Sequence, residues 1–228
     1  MSAIAVSHIR TFHNRGGRMG DRHHDALERL WPLYGSFVSG EPLVASALFG
    51  RSAPLVVEIG SGMGDATAAM AEADPDRDYL AVEVHVPGIA SLLSHIETRG
   101  LRNLRIARGD AIDLVTHALP PDRLAAVHVF FPDPWPKLKH HKRRIIQPAH
   151  VALLRSRLLP GTGVLHCATD WAPYAASMLS TLSADPGLVN TADGYAPRPA
   201  YRAVTHFERR AARQGRDVFD LVFRRRAA

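Results

Sequence analysis

The sequence predicts an α/β protein built on a doubly wound, mostly parallel sheet. Three observations predict it. Short apolar runs alternate with helix-like segments from residue 51 onward. The runs are apolar almost throughout, the pattern of strands covered on both faces, where a half-exposed strand would alternate. The first run also passes through closely spaced glycines directly into a helix, as a strand-to-helix turn of an open sheet does.

Residues 1–50 lie outside this alternation and read as an Arg-rich N-terminal extension, with 51–228 as the folded domain. PLVVEIG (54–60) is the first expected strand, followed by a helix over 64–74 that ends before Pro75. DYLAVEVH (78–85) is the second strand, and the helix after it, 87–100, has Gly100 just past its last turn. NLRIARGD (103–110) is the third strand, with a short helix over 111–119. RLAAVHVFF (123–131) is the fourth, and 145–161 contains a helix that Pro148 can start. GVLHCATD (163–170) is the fifth, with a helix over 171–185. A Pro-rich loop, GYAPRPAY, precedes the last strand at 217–223, expected to be antiparallel and at or near an edge because no helix follows it.

The totals narrow the partners. The formal charge is +6 and the isoelectric point about 10.0, which favours an anionic partner where the charge is clustered. Cys167 is the only cysteine, so an intrachain disulfide is excluded, and a reducing compartment fits. No apolar run reaches the roughly 18 residues of a membrane span, and the first 20 residues lack the apolar core of a secretory signal. A cytoplasmic location is the expectation.

In open α/β sheets ligands bind beyond the carboxyl ends of the strands. Each of the first five expected strands carries an acid there: Glu58, Glu83, Asp110, Asp133 and Asp170. One such acid reads equally well as a helix cap or turn former. Five together suggest a site for hydrogen-bond donors or a cationic ligand. The first loop, EIGSGMGD, holds Gly60, Gly62 and Gly64, which allow the backbone to approach a ligand closely. A dinucleotide site wants G-x-G-x-x-G with a phosphate on the helix start; here the sixth position is Asp65, which would repel it.

FFPDPWPKLKHHKRR (130–144) is the second unusual stretch. Pro132 and Pro134 stiffen the backbone on both sides of Asp133, so the carboxylate is aimed at low entropic cost. Trp135 reads as a base-stacking ring or as packing under the loop. Lys139, His140, His141, Lys142, Arg143 and Arg144 form a basic run that is either a solvated face or a grip on a phosphate backbone. Adjacent His140 and His141 converge poorly on one ion, and no metal is expected.

E-x-G-x-G-x-G resembles the first motif of the S-adenosylmethionine-dependent methyltransferases, whose cofactor carries a sulfonium and an ammonium and no phosphate. FPDPWPKLKHHKRR resembles, more specifically, the signature of the bacterial-type tRNA (guanine-N7-)-methyltransferases. The likeness extends to IRTFHNRGGRM near the start, EVHVPGIASLL in the second-strand region, and VTHFERRAARQGRDVFDLVFRR near the end. Leu138, and an Arg/Ala-rich stretch after Glu208, depart from the pattern. The resemblance implies a Rossmann-like methyltransferase fold, S-adenosyl-L-methionine as cofactor, and N7 of a guanosine in the variable loop of tRNA as target. It places Glu58, Gly60, Gly62, Glu83, Asp110 and Asp133 at the cofactor, with Glu83 on the ribose hydroxyls and Asp110 on the adenine amine. It marks Asp133 as the catalytic residue and Lys137, Asp170, Thr205, His206, Phe207 and Glu208 as substrate contacts.

Guanine N7 has an exposed lone pair and no proton to lose, so alignment and charge stabilisation suffice for its methylation. Guanine recognition needs acceptors for N1–H and the exocyclic amine, for which Asp170 and Glu208 are candidates. Thr205 and Glu208 also have the spacing of a helix capping box. RNA is expected along 139–144, with Arg10, Arg15 and Arg18 as further anchors. The alternatives are methyl transfer to another RNA or atom, an inactive RNA-binding module, and a nucleotide-dependent oxidoreductase. No membrane and no obligatory protein partner are expected; a homodimer stays open.

Overall fold

A computed structural model describes residues 9–13, 16–17 and 19–227. The chain divides into two compact units, one containing His13–Pro120 and the other Pro121–Ala228 with residues 9–12. Arg15 and Arg18, two of the expected RNA anchors, lie outside the described residues.

The first unit begins with helix α1 (Asp21–Tyr34), strand β1 (Gly35–Phe37) and the short helix α2 (Ala45–Phe49). The alternation read from the sequence follows: β2 (Leu55–Ile59), α3 (Asp65–Ala73), β3 (Asp78–Glu83), α4 (Val86–Arg99), β4 (Leu104–Arg108) and α5 (Ala111–Asp113). The strand order is β1-β4-β3-β2 and every pairing is parallel. Every residue of β2 and β3 is buried, which is why these strands read as continuous apolar runs. Val57, Leu80, Ala81 and Ile106 form the sheet interior, and α4 covers it with Leu92, Leu93 and Ile96. Gly100 ends α4 at φ 63°, a left-handed turn that costs glycine little.

The helix expected over 111–119 differs. α5 is a single turn, and the chain widens into a π-helical turn, Leu114–Ala118. Leu119 N–H bonds Leu114 O, five residues back, at 3.1 Å, and the Thr116 hydroxyl donates to Ile112 O at 2.6 Å.

The second unit contains β5 (Leu124–Phe130), a 3-10 helix (Leu138–Arg143), α6 (Pro148–Arg157), β6 (Val164–Thr169), α7 (Ala172–Ala184), β7 (Leu188–Asn190), α8 (His206–Arg213) and β8 (Phe219–Arg225). Its strand order is β5-β6-β8-β7. β5 and β6 are parallel, and β8 runs antiparallel to both β6 and β7, so the last strand has the expected sense. It lies one place in from the edge, which β7 occupies. Pro148 is the first residue of α6, where its missing N–H has no helical partner to lose. No helix among the described residues is long and apolar enough to cross a membrane.

Candidate active site

The first unit gathers the glycines and three of the acids. Gly60, Gly62 and Gly64 lie between β2 and α3 with φ of 77°, 59° and 84°. Packing reinforces the need at Gly64, where a Cβ would come within 2.6 Å of Leu92 Cδ1. α4 presses on the same loop, since a Cβ on Gly88 would sit 2.2 Å from Gly62 O. At Gly60 and Gly62 an added Cβ would meet no atom within 4 Å, so the loop borders open space there.

Glu83, the last residue of β3, is tied into this loop. Its Oε2 accepts Gly62 N–H at 2.7 Å, and its Oε1 accepts Val84 N–H at 2.7 Å and His85 N–H at 2.9 Å. A carboxylate with two oxygens offers about four acceptor positions, so one remains for a ligand hydroxyl. Glu58 on β2 is 3% exposed, and its Oε2 has no hydrogen-bond partner among the described residues. Burial pushes the Glu58 carboxyl up to about 7; the Thr67 hydroxyl opposes this and the negative charge of Glu83 adds to it. A buried acid of this kind gains from a cation brought beside it. Asp110 caps α5, its Oδ1 accepting Ile112 N–H at 2.9 Å. The acceptor set is acidic throughout and fits a ligand carrying positive charge and hydroxyls better than one carrying phosphate.

In the second unit the chain after β5 turns through two non-glycine residues in the left-handed region, Phe131 at φ 49° and Trp135 at φ 44°. Pro132, Asp133 and Pro134 lie between them, so the acid is held by two fixed prolines and two strained hinges. Left-handed conformations of such residues cost about 1–3 kcal/mol each and persist where the surroundings over-determine them. Trp135 is 4% exposed and packs under the loop: its Nε1–H donates to Thr11 O at 3.3 Å, and the Arg143 guanidinium lies 4.6 Å from its ring centroid. Arg144 is buried as well, donating from Nε to Pro134 O at 2.9 Å with its guanidinium 4.6 Å from the Tyr174 ring. Gln147 clamps the end of the 3-10 helix through Lys142 O and Arg144 O, both at 2.7 Å. Lys137, Lys139 and Lys142 are exposed, while His140, His141 and Arg143 are half-buried.

The expected substrate residues lie in the same unit. Asp170, just past β6, pairs with Arg216 at 2.8 Å. Thr205 caps α8, its Oγ1 accepting Glu208 N–H at 3.0 Å. The carboxylate of Glu208 does not return to the cap; its Oε2 accepts from Arg202 Nη1 at 2.5 Å. Phe207 stacks on Phe131 with centroids 5.8 Å apart, and the His206 ring lies against Phe207 at 4.7 Å. Phe131 thereby joins the Pro-Asp-Pro loop to the start of α8.

A family model described as "Putative methyltransferase" matches residues 52–221. The tRNA (guanine-N(7)-)-methyltransferase of Nitrosospira multiformis is 53% identical over 218 residues, 96% of this chain and 95% of that protein. The chain belongs to the tRNA (guanine-N(7)-)-methyltransferase family. The members from Aromatoleum aromaticum (54% identity, 96% of this chain and 84% of that one) and Bordetella pertussis (52%, 96% and 86%) are alike over similar lengths. Among solved structures, the 16S rRNA methyltransferase KamB matches with TM-score 0.55 at 19% identity, over 80% of this chain and 93% of that one. This last likeness concerns the fold, which is the Rossmann-like arrangement expected.

Set against the residues expected of a tRNA (guanine-N(7)-)-methyltransferase, the structure adds Arg202, Asp220, His166, Tyr201 and Arg216. Two of them leave a signal in the sequence: His166 and Asp220 are polar residues inside otherwise apolar strand runs. A buried polar side chain needs a partner, and each of these has one.

Proposed function

We propose that this chain transfers the methyl group of S-adenosyl-L-methionine to N7 of a guanosine in tRNA. The observation that carries the reading is the acid set around the glycine loop, with Glu83 holding Gly62 and Glu58 buried behind it, in a chain about half identical to tRNA (guanine-N(7)-)-methyltransferases.

When bound, the cofactor supplies an electrophilic methyl on a sulfonium. The chain's own residues do the rest. Glu83 takes a ribose hydroxyl on its remaining acceptor position, Asp110 takes the adenine amine, and the Gly60 and Gly62 backbone leaves room for close approach. Glu58 gives the cation a buried counter-charge. Asp133, held by its prolines, aligns the reacting groups and stabilises the positive charge that moves onto the purine as N7 attacks. Guanine N7 has no proton to lose, so no general base is required of the protein. Asp170 and Glu208 accept from guanine N1–H and the exocyclic amine, with Phe207 against the base and Lys137 and Thr205 completing the contacts. Lys139, His140, His141, Lys142 and Arg143 grip phosphates, and Arg144 holds the Asp133 loop from beneath. Residues 1–50 contribute further RNA contacts through Arg10. A cytoplasmic location suits a tRNA substrate, and the reaction requires no protein partner.

The test is incubation of the purified protein with labelled cofactor and bulk tRNA, followed by nucleoside mass spectrometry. New 7-methylguanosine is expected; its absence, or label on another atom, overturns the reading.

A further inference from the structure

Arg202 is fully buried in the loop before α8, three residues ahead of Thr205, and is not itself an expected site residue. Burying a guanidinium is costly unless nearly all its hydrogen-bonding capacity is met. Here three of its five N–H groups donate to two acids on different elements. Nε donates to Asp220 Oδ1 at 2.7 Å and Nη2 to Asp220 Oδ2 at 2.9 Å, a two-pronged grip on β8. Nη1 donates to Glu208 Oε2 on α8. The rings of Phe130 and Phe131 each lie 5.9 Å from the guanidinium carbon. Asp220 is held in turn, because its Oδ1 also lies 2.7 Å from His166 Nε2, and His166 Nδ1 lies 2.8 Å from the Tyr201 hydroxyl.

The chain of contacts runs Tyr201, His166, Asp220, Arg202, Glu208. Its three middle members are buried, and its far end is a carboxylate that is 18% exposed. Glu208 Oε2 is taken by Arg202, while Oε1 lies 3.6 Å from the half-exposed Arg198, beyond hydrogen-bond length. A lone surface glutamate samples many rotamers and loses that freedom when it binds a ligand. One oxygen of Glu208 is already fixed to a guanidinium locked by Asp220, so its side chain is ordered before any ligand arrives.

We infer that Arg202 is a positioning residue for guanosine recognition: anchored by Asp220, it sets the Glu208 carboxylate in the orientation that accepts the guanine N–H edge. The inference rests on the proposed assignment of Glu208 to the guanosine. Arg202 does not touch substrate; it acts through Glu208, and its loss falls on tRNA binding rather than on the methyl-transfer step.

The experiment is steady-state kinetics at saturating cofactor on the full chain, with tRNA varied, for R202K, E208Q and the double variant. Lysine keeps the charge and loses the fork, so it cannot hold both acids. R202K is expected to raise KM for tRNA about tenfold with kcat within about twofold, the signature of lost binding that is uniform through the reaction. E208Q is expected to do the same, and R202K combined with E208Q to add nothing further, since both remove one interaction. Unchanged KM in E208Q sinks the assignment of Glu208 to the guanosine. A KM rise in E208Q with R202K unchanged, or with the two losses multiplying, sinks the positioning role alone. A fall in kcat and cofactor affinity together in R202K marks a general structural role and also overturns it. Should R202K not fold, D220N replaces it, keeping shape and one acceptor while loosening the grip; a smaller KM rise, about threefold and absent in the E208Q background, is expected. An unchanged KM in folded D220N overturns the inference.

Discussion

Glu83 Oε2 accepts the backbone N–H of Gly62 at 2.7 Å, so the acid that ends one strand holds the loop that leaves its neighbour. With Val84 and His85 on its other oxygen, this carboxylate collects three N–H donors and fixes the loop before a ligand is present. Glu83→Ala removes both the loop tie and the proposed ribose acceptor. Cofactor affinity measured by calorimetry should fall at least about tenfold, since hydrogen bonds to a charged group contribute roughly 1.5–3 kcal/mol. An unchanged affinity would mean that the ribose lies elsewhere.

Asp133→Asn keeps the shape of the Pro-Asp-Pro loop and removes its charge. Single-turnover rates should drop by about a hundredfold or more, while tRNA retention on filters stays within about twofold of the parent. Full turnover in this variant would remove Asp133 from the chemistry.

The basic run divides by burial. Replacing Lys139, Lys142 and Arg143 by Ala should lower tRNA affinity and flatten its dependence on salt by roughly 0.7–0.9 log units per log salt for every phosphate no longer neutralised. Arg144→Ala should behave differently, lowering the melting temperature and kcat, because Arg144 carries Pro134 O and packs on Tyr174. A salt slope untouched by the triple variant would move RNA binding to another face.

Glu58 supplies a pH dependence with a definite sign. Its carboxyl titrates near 7 in the folded chain against an ordinary 4.5, so the folded state holds the proton more tightly. That contribution to stability is fully present below about 4.5 and is lost as pH rises through 7, a difference on the order of 3 kcal/mol. The melting temperature of Glu58→Gln relative to the parent should therefore rise between pH 5 and pH 8. A cation beside Glu58 favours the carboxylate, so cofactor binding near pH 6.5 should release a proton, visible as a calorimetric enthalpy that changes with the buffer. A flat melting difference, or no proton release, would count against this placement of Glu58.

The strands were legible because burial on both faces leaves an uninterrupted apolar run, and 54–60 brackets the observed Leu55–Ile59. β1 and β7 have three residues each, too few to carry a pattern. α1 escaped because DRHHD opens it and Pro32 lies in its last turn. It is held by Ala26 and Leu30 beneath and by Arg29, whose guanidinium reaches Glu97 of α4 at 2.8 Å. The acids at the strand ends follow from the strand reading and were visible for that reason. Arg202 was not: its partners lie 6 and 18 residues away on different elements, and only the fold brings them together. The left-handed turns at Phe131 and Trp135 were hidden likewise, since neither residue type advertises such a conformation.

Cys167 sits in the middle of β6 with no solvent exposure, and burial drives its thiol far from ionisation. The molecule therefore carries a silent chemical clock. A thiol-reactive dye added to the native protein can modify it only when the packing that covers the sheet face at β6 opens, so the labelling rate times the opening of the second unit's interior without any engineered probe.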